Sequence, residues 1–298
     1  MARRGNYNFY GNYSWYVPGV ADMFILLALL LAGALLGGII TSVFTLFLSG
    51  SIPQEEMMEY AMFISYPLMF IPPMIYASVK SRGNSFNHRG FLVDNKHFSP
   101  LGAGLCALLV IIMTVSAGLA SEPLTDLLPP MPDWLENTLG SLTTGRLWIN
   151  FLMVSIFAPF FEEWLCRGMV LRGLLCRGMK PAWAIAVSAL FFAVIHMNPW
   201  QAIPAFILGC LFGYVYYKTG SLKLTMLMHF TNNTVALVIG QIDSLAEYET
   251  WTDLLGGKYW LWFAVAIIIL LLGILAFRRI PLTSPKGNCD EVPPLIGE

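Results

Sequence analysis

Long apolar stretches separated by short polar loops constrain this chain more than any other feature. In lipid every backbone N–H and C=O needs an internal partner, so such stretches form helices, and about 20 residues suffice to cross the hydrocarbon. Only 12% of the residues are charged, roughly half the share in a soluble domain. We therefore predict an all-α polytopic membrane protein with about eight transmembrane helices, in residues 21–50, 60–79, 100–120, 147–175, 181–197, 201–217, 222–240 and 259–277.

Loop charges predict the orientation and the domain organisation. Lys and Arg in short loops favour the cytoplasmic side. With eight spans one side receives nearly all of them, including Arg172 and Arg177 at the inner end of the fourth span. Both termini are therefore expected in the cytoplasm, and the acidic outer loops suggest a prokaryotic inner membrane. We expect an aromatic segment at lipid headgroups in residues 1–20 and a single transmembrane domain in residues 21–280. A disordered tail is expected in residues 281–298.

Charge and cysteine content exclude several classes of function. A net charge of -1 argues against nucleic acid as a partner, because phosphate binding needs a concentrated basic surface. The five cysteines show no C-x-x-C spacing, so neither a disulfide framework nor a zinc knuckle is expected. The partner that composition predicts is membrane lipid.

The strongest functional signal is a pair of carboxylates, Glu162 and Glu163, within apolar sequence. An ionised carboxylate at membrane depth is costly, so such residues face a protein interior or a wet cavity. Arg167 lies one helical turn after Glu163 and can form a charge-assisted pair with it. Glu162 points about 100° away. The spacing predicts that Glu163 and Arg167 play a supporting role and leave Glu162 free for chemistry.

Two histidines and an amide complete the candidate site. His196 and His229 lie in apolar surroundings, and Asn233 follows His229 by one helical turn. Glu162 with both histidines could hold a divalent metal such as Zn, whose bound water would be activated. Alternatively, Glu162 backed by His196 deprotonates the water directly. In that scheme, His229 and Asn233 stabilise the oxyanion. Either route is water attack on an amide carbonyl.

These residues form three motifs on successive predicted helices. Together they resemble the CPBP family of intramembrane proteases, which covers type II CAAX prenyl endopeptidases and bacteriocin-processing proteins and is also called the Abi family. The resemblance covers about residues 147–240. It implies a multi-helix fold around the site, and either a metal-dependent or a glutamate-dependent mechanism. The motifs are Glu162-Glu163-x-x-x-Arg167, Phe192-x-x-x-His196 and His229-x-x-x-Asn233.

Carried over by position, the resemblance implies that Glu162, His196 and His229 are catalytic and that Asn233 supports them. We therefore expect an intramembrane endopeptidase acting on a membrane-associated or peptide substrate. The alternative is a non-catalytic scaffold or bacteriocin self-immunity partner that binds a peptide in the same polar cavity. A transporter is disfavoured, because the intramembrane polar groups cluster in only one half of the chain.

Overall fold

The computed structural model describes residues 9–48, 53–135, 146–242 and 250–295. Each predicted apolar stretch contains a helix, which confirms the polytopic all-α fold. A two-residue antiparallel ribbon pairs β1 (Gly90–Phe91) with β2 (Glu291–Val292). The helices are α1 (Val20–Leu48), α2 (Gln54–Asn84), α3 (Ala103–Thr125), α4 (Leu147–Cys176), α5 (Pro181–Val194), α6 (Pro199–Thr219), α7 (Leu222–Gln241), α8 (Trp251–Leu255) and α9 (Tyr259–Arg278).

Helix length and hydropathy separate six membrane-spanning candidates from the other helices of the described residues. The predicted fifth span forms only the 14-residue helix α5, about 21 Å long and therefore shorter than the hydrocarbon core. It ends just before His196, inside the bundle. Helix α7 has 20 residues, but its polar face around His229 lowers its hydropathy. The chain is an integral membrane protein, and its orientation stays a prediction.

Helix α4 lies at the centre of the bundle. Of its most apolar window, 56% is buried, against 28% for α1. Two π-helical segments, Phe151–Phe157 and Trp164–Leu171, flank the short α-helical segment Ala158–Glu163. Wider π turns shift the backbone hydrogen bonds and are frequent at functional sites. The paired glutamates sit at the end of this short segment.

Close packing of α1 against α2 explains the small residues of the first span. A Cβ atom added at Gly33 would lie 2.3 Å from the carbonyl oxygen of Met69 on α2. At Gly37 the nearest atom, the carbonyl oxygen of Ser65, would lie 3.2 Å away. Only residues without a side chain allow this approach, which agrees with the packing role of a small-x-x-x-small step.

Arg172 does not lie at the cytoplasmic loop where the charge pattern predicts it. It lies within α4 and is fully buried, because the N-terminal segment folds around its guanidinium and accepts hydrogen bonds from it. The N-terminal tyrosines follow the same pattern: Tyr10, Tyr13 and Tyr16 are buried in the core, and burial raises the pKa of Tyr10 to about 12. Arg172 donates to the carbonyl oxygens of Tyr13, Ser14, Tyr16, Phe91 and Gly168.

The tail beyond α9 corrects the prediction of disorder. Residues 281–295 are folded, because a buried amide and the β1–β2 ribbon attach them to the bundle. Asn288 is fully buried and donates to the carbonyl oxygens of Lys218 at 2.5 Å and Pro281 at 2.9 Å. We call the N-terminal segment 9–19, the loop 85–102 and this tail together the ribbon end of the bundle. Residues 1–8 and 296–298, which share these predictions, lie outside the described residues.

Candidate active site

An ion pair between Glu163 and Arg167 forms the floor of the site. Arg167 Nη1 donates to Glu163 Oε1 at 2.7 Å, and both side chains are 0% exposed. Nη2 donates to the carbonyl oxygen of Gly209 at 3.0 Å. The guanidinium also lies over the rings of Phe192 and Phe212, 4.6 and 5.1 Å from their centroids. The pairing that helical spacing predicts is present.

His229 is oriented by this ion pair. Its Nδ1 lies 3.0 Å from Glu163 Oε1, the same oxygen that Arg167 contacts. When Nδ1 carries the proton and donates to the carboxylate, Nε2 of the neutral ring is an acceptor. That nitrogen lies 4.0 Å from Glu162 Oε2. Glu163 thus does more than pair with Arg167, a contact that the sequence spacing did not reveal.

Glu162 presents its two oxygens to different partners. It is only 9% exposed. Its Oε1 accepts a hydrogen bond from the hydroxyl of Tyr66 on α2. Its Oε2 has no hydrogen-bond partner among the described residues. Sequence reasoning missed Tyr66, because it lies 96 positions upstream and no motif marks it.

His196 lies in the turn between α5 and α6. Its Nδ1 is 2.7 Å from the carbonyl oxygen of Phe192, which again leaves Nε2 as the free acceptor. Asn198 stabilises the turn: it donates to the carbonyl oxygen of His196 at 2.9 Å and accepts from the backbone N–H of Gln201 at 2.8 Å. The Asn198-Pro199 pair is a helix-start pattern, so this residue could have been found from sequence.

Asn233 connects α7 to the first π segment of α4. Its Nδ2 donates to the carbonyl oxygen of Val154 at 2.8 Å, and its Oδ1 accepts from Asn232 Nδ2 at 3.1 Å. A primary amide carries two N–H donors. Each of these asparagines therefore has a second side-chain N–H besides the one in these hydrogen bonds.

One cavity joins the four predicted catalytic residues. It has a volume of about 660 Å³, within the range of small-molecule sites. A second cavity of about 180 Å³ continues toward α6 and shares His196, His229 and Asn233 with the first. The larger cavity is lined by Glu162, His196, His229 and Asn233 together with residues of α1, α2 and α4. His196 makes no ion pair with either glutamate among the described residues.

The histidines and Glu162 offer donor types that suit a divalent metal such as Zn. Both histidines have Nδ1 engaged and Nε2 free, as metal-ligating histidines do. However, in the part of the chain that the structure describes, no three His, Cys, Asp or Glu side chains group closely enough to hold an ion. The donor types fit the metal, but their spacing in the described residues does not.

One protein-family model matches part of the chain. Residues 144–235 match the family model described as Type II CAAX prenyl endopeptidase Rce1-like. This segment is about a third of the chain, and its match supports the resemblance to the CPBP family. The matched segment holds every site residue predicted from sequence and leaves α1, α2 and α3 outside. No curated protein and no solved structure matches. The match supports a CAAX-type intramembrane protease at the family level.

Proposed function

We propose that this protein is an endopeptidase that hydrolyses a peptide bond within the membrane, using a water molecule that Glu162 activates. One observation carries the proposal: Glu162 Oε2 and His229 Nε2 lie 4.0 Å apart and face one cavity. A water about 2.8 Å from both atoms fits this gap, with an angle of about 90° at its oxygen. Because both atoms are acceptors, the two water protons point at them and its lone pairs face the cavity.

The reaction then follows from the remaining donors. Glu162 takes a proton as the water oxygen bonds to the carbonyl carbon. The second N–H groups of Asn233 and Asn232 stabilise the negative carbonyl oxygen of the tetrahedral intermediate. Glu162 returns the proton to the amide nitrogen as the C–N bond breaks, which releases a carboxylic acid and an amine.

This scheme differs from the sequence expectation in the roles of the histidines. His229, held by Glu163, stands next to Glu162 and orients the water. His196 lies across the cavity, where Nε2 can accept a hydrogen bond from the N–H of the substrate backbone. Glu163 and Arg167 keep the supporting role that their spacing predicts.

The first substrate to test is a farnesylated CAAX peptide. The name of the matched family points to this class. The cavity wall from α1 and α2 includes the apolar residues Ala34, Met62 and Met69, which suit a hydrocarbon chain. We propose such a membrane-associated peptide as the substrate.

The decisive experiment compares variants of the purified protein in lipid nanodiscs with an internally quenched farnesylated peptide. Glu162→Gln should reduce turnover by about 10²- to 10⁴-fold, because it removes the general base. The matched control is Glu291→Gln, whose side chain is 54% exposed at the ribbon end. If Glu162→Gln cleaves at the wild-type rate, the scheme is wrong. If the wild type and Glu162→Gln bind the peptide equally and neither cleaves it, the result would instead support the scaffold alternative.

Metal dependence is tested on the same preparation. We expect turnover to survive dialysis against a chelator, and elemental analysis to find no stoichiometric metal. A bound divalent ion whose removal abolishes turnover would contradict direct activation by Glu162 and would support a metal-bound water.

A further inference from the structure

Tyr66 brings to the site a group from outside the segment that matches the family. It lies on α2, whereas the family match begins at residue 144. Its hydroxyl donates to Glu162 Oε1, and its ring forms part of the cavity wall. The half of the chain that carries no motif therefore contacts the proposed general base directly.

Aromatic layers hold Tyr66 in place. Phe63 stacks on Phe157 with centroids 5.5 Å apart, and Phe70 stacks on Phe161 at 5.0 Å and an interplanar angle of 14°. Each pair joins α2 to α4, and Tyr66 lies about one helical turn from both phenylalanines of α2. The stacked pairs before and after Tyr66 along α2 therefore fix the position of its hydroxyl relative to α4.

A cluster of charges adds a third attachment between the same helices. Arg146, just before α4, forms an ion pair with Glu56 at 2.5 Å and donates to the hydroxyl of Tyr60. Both partners belong to the first turns of α2. The attachment lies beyond Phe63, at the end of the bundle opposite the ribbon end.

We infer that Tyr66 is a positioning residue of the hydrolytic site, an inference that rests on the proposed function. The terminal torsion of a glutamate is broad, so an untethered carboxylate samples many orientations. The Tyr66 hydroxyl anchors Oε1 and thereby directs Oε2, which has no hydrogen-bond partner among the described residues, toward His229. Tyr66 acts through Glu162 and not on the substrate.

Tyr66→Phe tests this inference with the same farnesylated peptide. The variant keeps the ring and its contact with Phe70, whose centroid lies 5.7 Å away. We expect kcat to fall about ten- to hundredfold, the range that one hydrogen bond to a charged group supports, while KM stays unchanged. Tyr76→Phe is the matched control: it removes a hydroxyl from the same helix, where the ring packs edge-on against Tyr16.

A double-mutant cycle separates positioning from general damage. In Glu162→Asp the carboxylate is one methylene shorter and withdraws from Tyr66. Adding Tyr66→Phe to this variant should therefore lower kcat no further. The inference is overturned if Tyr66→Phe lowers kcat equally in the wild type and in Glu162→Asp, or if it leaves the wild-type kcat unchanged. It is also overturned if the fall in kcat is accompanied by a lower thermal midpoint of unfolding. If Glu162→Gln itself retains full turnover, the proposed function fails; if only the Tyr66 result fails, that function stands.

Discussion

Removing Arg167 should destabilise the protein severely. Arg167→Met leaves the Glu163 carboxylate, which is 0% exposed, without its cation and with only His229 Nδ1 as a side-chain donor. Breaking a buried ion pair in this way costs about 3–5 kcal/mol. The carbonyl oxygen of Gly209 also loses a donor, at a cost of roughly 1 kcal/mol. A total of about 4–6 kcal/mol is a large part of the 5–15 kcal/mol by which proteins are typically stable.

A compensating substitution separates this stability effect from chemistry. Replacing a whole buried ion pair by apolar residues is often neutral, so Arg167→Met combined with Glu163→Leu should recover most of the lost free energy. Activity should not return, because His229 Nδ1 loses the acceptor that orients its ring. The double variant should be folded and inactive.

Equilibrium unfolding in mixed micelles, followed by tryptophan fluorescence, measures both variants. Arg279→Met, at an exposed position after α9, is the control for loss of an arginine. The reasoning is refuted if Arg167→Met unfolds like the wild type, or if the double variant is as unstable as the single one.

Three further predictions concern packing away from the cavity. Arg172→Met removes a charged donor from five carbonyl oxygens and should lower the unfolding free energy by at least about 3 kcal/mol; wild-type stability would show that other donors replace it. Gly33→Ala should cost about 1–3 kcal/mol in the same assay, because its Cβ overlaps the Met69 carbonyl, whereas Gly38→Ala, with no atom within 4 Å, should be neutral. Asn288→Ala should cost about 3 kcal/mol, one for each of the three side-chain hydrogen bonds lost, and should speed proteolysis of the tail; an unchanged digestion pattern would contradict its anchoring role.

The sequence predicts those parts of the site that depend on local helical geometry. The pairing of Glu163 with Arg167 follows from one helical turn, which is the same in any helix. The presence of His196, His229 and Asn233 in one cavity follows from motifs on neighbouring helices. Such relations need no knowledge of how distant segments pack.

The remaining contacts depend on long-range packing and could not be predicted. The Tyr66 hydroxyl meets Glu162 across 96 positions, and its surrounding sequence resembles any other apolar helix. Arg172 stands in a basic stretch near a helix end, where charged side chains normally reach water, yet carbonyl oxygens of the N-terminal segment surround it. A turn closed by Asn198 also decides how far α5 extends.

The tail and the N-terminal segment touch each other at the ribbon end. Trp15 Nε1 donates to the carbonyl oxygen of Pro293 at 3.1 Å, and the backbone N–H of Leu295 donates to the carbonyl oxygen of Ser85 at 2.7 Å. The contact of Trp15 with Pro293 joins residues that are 278 positions apart in the chain. The first and the last of the described segments therefore hold each other at the same end of the bundle.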